Sequence, residues 1–278
     1  MLTTELGAGP ALTVATAPPD KHHFSGRGGK DVIPLYRDAH GLAPNITAGL
    51  LAKLAETLST AVTAEDLAAY TYALLAHPGY EETFRTVLET PGPRVPVTAD
   101  PDLFREAVEV GQELLWLQTF TERYRGDGRT SQLPRVPGLG WTKPVAAMPA
   151  TPRDLAYDPA SGILTVGDGQ VAGVSSAVWD FSVSGLQVVK RWLEARTANG
   201  TGRSAVTAKT ATPLDRIRPQ QWEDEWNDEL LELIRVLHWS IEGYSKQQDL
   251  LTRVLAAPMV RASDLPQPTK PERKPPAA

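Results

Sequence analysis

The sequence predicts an α+β fold with a helical N-terminal half, a small antiparallel sheet and a long C-terminal helix. Three observations lead to this prediction. Apolar residues recur at helical spacing in residues 47–124, alternate with polar residues in short stretches of residues 153–185, and return to helical spacing from Pro219 to about Leu255. A period of 3.6 residues indicates a helix with one buried face, and a period of two indicates a strand with one buried face.

The composition favours a soluble cytoplasmic protein with a substantial core. Hydrophobic residues make up 41% of the 278 residues, which suffices for one large domain or two small ones. The chain has no cysteine, so disulfides and thiolate metal sites are excluded. No stretch approaches the roughly 18 consecutive apolar residues of a membrane helix, and the N-terminus lacks the pattern of a secretory signal. We therefore expect no membrane partner.

Four helices are predicted in the N-terminal half. Thr63 and Asp66 form a partial capping box, and Asp100 places a capping carboxylate before Pro101 at a first helical position. Phe120 is predicted to be buried on the apolar face of the last helix. The predicted helices cover residues 47–58, 63–77, 80–88 and 100–124.

The middle of the chain predicts a loop followed by strands and a helix. Residues 125–152 are rich in glycine and proline, and so long an irregular link is unusual in a compact domain. Two short strands are expected around a turn at residues 158–162, and a third is expected near Val171. The period then becomes helical near Leu186.

The C-terminal part predicts a polar loop, a long helix and a tail. Residues 196–218 form the loop, and Pro219 opens the helix, whose first turns are rich in acidic residues. The tail from Ser263 is proline-rich and has no apolar periodicity, which predicts disorder. The predicted domains are a strand segment at 1–38, a helical subdomain at 39–124, a loop at 125–152, a sheet-plus-helix recognition module at 153–258 and a disordered Pro-rich tail at 259–278.

The motifs of a catalytic or cofactor site are missing from the sequence. The stretch Ala17-Pro18-Pro19-Asp20 lacks the polar first residue and the aromatic last residue of the loop that holds a flipped base in amino-methyltransferases. Residues 167–169, Gly-Asp-Gly, read as a hairpin turn rather than a nucleotide loop. No P-loop and no paired-histidine spacing of a metal site occurs. We therefore expect no catalytic residue, metal or cofactor in this chain.

Two loops are locally basic although the chain carries a formal charge of -5. With that overall charge, a nucleic-acid site has to be a local patch. Lysine and arginine among small residues can reach phosphates, but charged loops are also commonly no more than solvated surface, and the composition alone favours that second interpretation. The candidate DNA-binding residues are Arg125, Arg129, Arg135, Lys143, Lys190, Arg191, Arg196, Arg203, Lys209, Arg216 and Arg218.

Five separated blocks, from about Pro19 to about Leu255, resemble one known family. The central block contains YDPASGILTVGDG and VWDFSVSGLQVVKRWL; the others are GGKDVIPLYRDA, AHPGYEETF, PRVPVTADPDLFREAVEVGQELLWLQTF and PLDRIRPQQWEDEWNDELLELIRVL. Together they resemble the C-terminal specificity domain of type ISP restriction-modification enzymes. These bacterial enzymes join nuclease, translocase, adenine-N6 methyltransferase and target-recognition parts in one chain.

The resemblance implies sequence-specific recognition of duplex DNA, and it favours the basic loops as DNA contacts. It implies no enzyme activity of this chain alone, because the family's catalytic motifs belong to the methyltransferase part. S-adenosylmethionine would bind the methyltransferase part, which is missing here and to which residues 1–38 would join. A separate methyltransferase or translocase chain is a further expected partner. Two alternatives stay open. One is an α-helical protein-interaction module that docks through the acidic helix and tail, and the other is a non-functional remnant of a longer methyltransferase.

Overall fold

The part of the chain that the structure describes is divided into two units. The computed structural model describes residues 9–16, 32–89, 93–124, 131–199 and 219–274, together with two short strands near the N-terminus. The helical unit comprises Met1–Ser131 and Gly243–Ala278, and the sheet unit comprises Gln132–Glu242. This division differs from the predicted domains, because the chain returns to the helical unit after residue 242.

The described residues contain the following elements. The α-helices are α1 (Leu50–Leu58), α2 (Ala64–Leu75), α3 (Pro78–Phe84), α4 (Pro101–Gln118), α5 (Ser176–Asp180), α6 (Val188–Glu194), α7 (Glu225–Glu242) and α8 (Tyr244–Ala256). The strands are β1 (Leu2–Thr3), β2 (Lys30–Asp31), β3 (Gly140–Lys143), β4 (Leu155–Asp158), β5 (Ile163–Val166), β6 (Gly169–Ala172), β7 (Ser182–Val183) and β8 (Leu186–Gln187). Short 3₁₀ turns cover Val87–Glu89, Pro152–Asp154 and Ala262–Asp264. The predicted α+β fold class is confirmed.

The helix starts of the helical unit follow from capping. The Thr63 hydroxyl accepts from the Asp66 N–H at 3.0 Å, and the Asp66 carboxylate accepts from the Thr63 N–H at 2.9 Å, so the predicted capping box of α2 is present. Asp100 likewise accepts from the N–H groups of Asp102 and Leu103 at the start of α4. The first helix begins later than predicted, at Leu50, after Gly49 with a φ of 80°.

The α4 helix ends earlier than the sequence predicts. Phe120, Thr121 and Tyr124 all have positive φ values, so the helical conformation does not continue after Gln118. As a result Phe120 is 46% exposed, and the prediction that it is buried is wrong. Thr119 stabilises this end, since its hydroxyl donates to the Leu115 carbonyl at 2.7 Å.

The core of the helical unit lies mainly between α2, α4 and α8. Gly111 of α4 lies against the α2 backbone so closely that a Cβ there would be 1.8 Å from the Ala69 carbonyl oxygen. Tyr70 stacks on Phe104 with ring centroids 4.6 Å apart, and its hydroxyl donates to the Pro96 carbonyl. From α8, Leu250 contributes to the same cluster. Close helix approach and aromatic stacking therefore combine in this core.

The segment after α8 makes specific contacts, in contrast to the disordered tail predicted for residues 259–278. The Val260 N–H donates to the Val97 carbonyl at 2.8 Å. Farther along, the Arg37 guanidinium donates to the Glu272 carbonyl at 3.0 Å, and the Glu272 carboxylate accepts from the Ala48 N–H at 2.8 Å. The hydrogen bond from the Thr269 hydroxyl and then the one from the Ala48 N–H lower the pKa of Glu272. The contacts with Arg37 and Ala48 tie the segment, as far as it is described, to the residues that precede α1.

The sheet unit is built on four antiparallel strands in the order β3-β6-β5-β4. Three of these strands were predicted, and the turn at Gly167, with a φ of 57°, is the hairpin turn expected from the sequence. The fourth strand, β3, comes from the stretch predicted as a loop. Gly173 permits its approach, because a Cβ at that position would lie 2.4 Å from the Gly138 carbonyl oxygen.

The inner side of this sheet packs on α7. Leu164, Val166 and Val171 are 0% exposed and share one apolar cluster with Leu230 and Ile234 of α7. The predicted long C-terminal helix is present as α7 and α8, with Gly243 between them, but it begins at Glu225 and not at Pro219 as predicted. Its two parts belong to different units, so the single apolar stripe predicted along it contributes to two separate cores.

Replacing Gly111 by alanine is expected to destabilise the helical unit. Alanine has the better helix propensity by about 1 kcal/mol, but the clash with the Ala69 carbonyl forces the α2 backbone away from α4. We expect a net loss of about 2 kcal/mol in the free energy of unfolding, measured by urea denaturation. The control is Glu109→Ala on an exposed position of α4, which should change stability by less than about 0.5 kcal/mol. A neutral or stabilising effect of Gly111→Ala would contradict the described packing.

His77 is expected to make the stability of the helical unit sensitive to acid. It precedes α3, is 1% exposed, and its Nε2 has no hydrogen-bond partner within the described residues. Burial lowers its pKa from 6.5 to about 4. The unfolded state therefore binds more protons below about pH 6.5, and stability falls as the pH falls toward 4.

The measurement compares the wild type with His77→Gln by urea denaturation, followed by helical circular dichroism. The wild type should lose about 2 kcal/mol more than the variant between about pH 7 and about pH 5. Burial raises the pKa of nearby Glu81 to about 7, an effect of opposite sign that is common to both proteins and cancels in this difference. Equal pH dependence of the two proteins would show that His77 does not titrate as described.

Candidate nucleic-acid interface

A row of paired residues crosses the four-stranded sheet on the side away from its core. Ala156 of β4 pairs with Thr165 of β5, Thr165 pairs with Gln170 of β6, and Gln170 pairs with Lys143 of β3. Ala156, Gln170 and Lys143 are exposed, and Thr165 is half-buried. We call the side that carries this row the outer sheet face. Its described residues are Thr142, Lys143, Ala156, Asp158, Ile163, Thr165, Gln170 and Ala172.

The alternation of the strands creates this face. Successive side chains of a strand point to opposite sides, so burial of Leu164 and Val171 sends Thr165 and Gln170 outward. The register shifts between Trp141 and Lys143, as in a β-bulge. The result is a surface of small and polar residues onto which a ligand backbone can approach closely.

Lys143 and Asp168 fix one end of the outer sheet face. The Lys143 ammonium lies 3.3 Å from an Asp168 carboxylate oxygen, and the other oxygen accepts from the N–H groups of Ala146 and Ala147 at 3.1 and 3.2 Å. The two backbone hydrogen bonds, more than the ion pair, lower the pKa of Asp168. Lys143 remains 61% exposed, so it can still meet a second anion.

Acidic residues collect on the opposite side of the sheet unit. The apolar side of α7 faces the sheet through Leu230 and Ile234. Glu225, Asp228 and Glu232 are exposed, and helical spacing puts them on the side of α7 away from those two residues. The negative charge of α7 is therefore separated by the core from the outer sheet face.

Arg196, one of the predicted DNA contacts, is engaged within the sheet unit. Its guanidinium lies 3.6 Å above the Trp192 ring and 5.2 Å from the Trp226 ring centroid. It also pairs with a Glu229 carboxylate oxygen at 3.3 Å and donates to the Trp192 carbonyl at 3.2 Å. The side chain is only 24% exposed, and desolvation lowers its pKa. This geometry joins α6 to α7 and leaves little of the cation for a ligand.

The other predicted cations within the described residues lie on three separate segments. Arg135 is exposed ahead of β3, Lys143 lies on β3, and Lys190 and Arg191 are exposed on α6. Arg191 pairs with Glu194 at 3.1 Å. Six predicted contacts lie outside the described residues: Arg125, Arg129, Arg203, Lys209, Arg216 and Arg218.

The neutral residues of the outer sheet face are not among the predicted DNA contacts. Those contacts are all lysine or arginine, so Thr142, Thr165 and Gln170 were not predicted. The signal was present, because the polar residues Thr165 and Gln170 directly follow or precede the apolar residues Leu164, Val166 and Val171. That alternation predicts which residues point away from the core.

Two kinds of site find no support within the described ranges. The described residues include no group of three or more His, Asp or Glu side chains arranged to hold a metal ion. In the same residues no helix combines the length and the apolar character needed to cross a bilayer.

Residues 1–233 match the Type ISP C-terminal specificity domain family, and the chain belongs to that family. A DrdV–DNA complex solved by cryo-electron microscopy has a similar fold, with 23% identity over 76% of this chain and a TM-score of 0.51. A nuclease-deletion mutant of the Type ISP restriction-modification enzyme LlaGI, in complex with a DNA substrate mimic, matches over 70% of the chain with 14% identity and a TM-score of 0.43. The chain spans 20% and 14% of the lengths of these two proteins. No curated protein matches it.

Replacing Arg196 by methionine is expected to destabilise the sheet unit by about 2 kcal/mol, through loss of the stacking on Trp192 and of the pair with Glu229. Tryptophan fluorescence during urea denaturation reports this unit, because only Trp116 of the seven tryptophans lies outside it. Arg191→Met is the matched control, since Arg191 is 60% exposed and its ion-pair partner within the described residues is Glu194; it should change stability by less than about 0.5 kcal/mol. Equal effects of the two substitutions would argue against an anchoring role for Arg196.

Proposed function

We propose that the sheet unit binds duplex DNA through its outer sheet face and acts as the target-recognition domain of a type ISP-like restriction-modification system. The observation that carries this proposal is the separation of charge in the unit. The outer sheet face is mainly polar and is bordered by the Lys143–Asp168 pair, and its carboxylate, Asp158, accepts hydrogen bonds from Ala160 and Ser161. The exposed carboxylates of α7 lie on the other side of the core. Membership of the specificity-domain family supports the same function.

The outer sheet face has the properties that DNA recognition requires. The major groove admits a two-stranded β-ribbon, the width of one strand pair of this sheet such as β3 and β6, and base edges are read there by hydrogen bonds. Small side chains such as Ala156 and Ala172 let a sheet approach the groove, and Thr165 and Gln170 supply hydrogen-bonding groups. Lys143 is an exposed cation of this face for a phosphate that flanks the groove, and Arg135 is a second exposed cation of the same unit, ahead of β3. The DrdV structure, which shares this fold, is a complex with DNA, and this makes duplex DNA the first ligand to test.

We infer that chemistry requires a further part or chain. The stretch Ala17–Asp20 lacks the base-holding pattern of an amino-methyltransferase, so we propose that this chain alone transfers no methyl group. S-adenosylmethionine and the catalytic residues would belong to a methyltransferase part or to a separate methyltransferase or translocase chain, acting with this one in the bacterial cytoplasm. The alternative of a protein-interaction module based on α7 has less support, because the apolar stripe of that helix is already used in the core through Leu230 and Ile234.

The decisive experiment is selection from a pool of randomised duplexes by the purified chain at two salt concentrations. Enrichment of one short sequence would support target recognition. Salt-sensitive binding without enrichment would limit the chain to phosphate contacts, and absence of binding at low salt would contradict the proposal. Methyl transfer by the isolated chain in the presence of S-adenosylmethionine would contradict the inference that chemistry requires another part.

The double substitution Lys143→Gln with Arg135→Gln is expected to weaken binding to all duplexes and to reduce its salt dependence. If each cation contacts one phosphate, the slope of log K against log salt should fall by about 2. The measurement is fluorescence anisotropy titration over a series of salt concentrations.

The control for this double substitution is Lys53→Gln with Lys246→Gln, which removes the same charge from the helical unit. It should leave the slope nearly unchanged, because those two lysines lie on α1 and α8 and not on the sheet. Equal slopes for the two double variants would refute the assignment of the DNA-binding surface.

A further inference from the structure

We infer that Gln170 is a specificity-determining residue that reads an adenine in the major groove of the target. This inference rests on the proposed function and assigns a base to one side chain of the outer sheet face. Gln170 lies on β6, an interior strand, between Lys143 of β3 and Thr165 of β5. It therefore lies in the middle of the outer sheet face. From there its side chain can project toward the base edges in a DNA groove, whereas a side chain at the border of the face lies nearer to the phosphates.

The backbone of Gln170 is held firmly while its side chain is free. Gly169 and Val171 on either side are buried, and a Cβ at Gly169 would lie 2.7 Å from the Val145 nitrogen, which shows how closely β6 is packed. The Thr142 hydroxyl donates to the Gln170 carbonyl at 3.2 Å. The Gln170 amide group is exposed and has no hydrogen-bond partner in the described part of the chain. A fixed backbone reduces the conformational entropy that is lost when the side chain contacts a ligand. The amide can both donate a hydrogen bond to the ligand and accept one from it.

The chemistry of the amide selects adenine. Glutamine can accept from the adenine N6 amino group with Oε1 and donate to N7 with Nε2, which gives two hydrogen bonds in one plane. Guanine offers two acceptors on this edge, and cytosine offers only a donor, so neither satisfies both atoms of the amide.

The neighbours of Gln170 on the row cannot make the same contact. Ala156 has no polar side-chain atom, Thr165 has a single hydroxyl, and Lys143 is a cation beside Asp168. Among the described residues of the outer sheet face, Gln170 alone carries an amide fork.

The experiment is duplex selection with the full chain and three variants, Gln170→Ala, Gln170→Glu and Gln221→Ala. The last is the matched control, an exposed glutamine of the same unit that lies outside the sheet. The wild type and the control should enrich one motif that contains an adenine at a defined position. At that position Gln170→Ala should no longer prefer adenine. The preference for adenine at that position should fall by about 5- to 150-fold in Gln170→Ala, with the other positions retained. In Gln170→Glu the same position should change toward cytosine, because a carboxylate accepts from the cytosine N4 amino group.

The outcomes separate this inference from the proposed function. If the wild type enriches a motif that Gln170→Ala leaves unchanged, or if Gln170→Ala weakens all positions equally, then Gln170 does not read a base, and target recognition by the chain still stands. If the wild type enriches no motif, both the recognition function and the role of Gln170 are overturned. Circular dichroism of each variant, expected to match the wild type, ensures that lost preference reflects lost contacts and not lost folding.

Discussion

The burial of alternate residues of β5 and β6 against α7 determines the rest of the sheet unit. Leu164, Val166 and Val171 are fully buried, and each such side chain contributes about 1.5–3 kcal/mol relative to exposure. A register shift of one residue would move all of them to solvent together and bring Thr165 and Gln170 into the core. The same hydrophobic burial that stabilises the unit therefore also decides which polar side chains are available to a ligand.

A cation is available for binding only where the fold does not already use it. Arg196 and Lys143 have the same formal charge, but Arg196 is stacked on Trp192, paired with Glu229 and mostly buried. Lys143 has one exposed partner and is itself well exposed. The amino-acid composition does not distinguish these two cations. Their packing does, because Arg196 is held by other residues of the unit whereas the Lys143 ammonium is open to a ligand. Arg196 instead fixes α6, which carries the exposed Lys190, to α7.

The sequence predicted those parts of the fold that depend on interactions between residues close together in the chain. The Thr63 capping box and the turn at Gly167 depend on residues within a few positions, and both were found as predicted. The features that were missed depend on distant contacts. The strand β3 needs the close approach of Gly138 to Gly173, and the contacts of Glu272 need Ala48. At the candidate site, alternation alone could have indicated Gln170, but its neighbours on the row follow from the pairing of strands far apart in sequence.

The net charge of -5 is compatible with DNA binding because of where the acids lie. A helix with its side chains is about 10 Å across, so the outward carboxylates of α7 are farther from the outer sheet face than the Debye length of about 8 Å at physiological ionic strength. Their repulsion of DNA at the sheet is thus largely screened. Of the carboxylates nearer to the sheet face, Asp158 accepts hydrogen bonds from Ala160 and Ser161, and Asp168 is paired with Lys143. In the DNA-binding mode proposed here, the Gln170 amide in the middle of the sheet supplies specificity and Lys143 at its border supplies affinity.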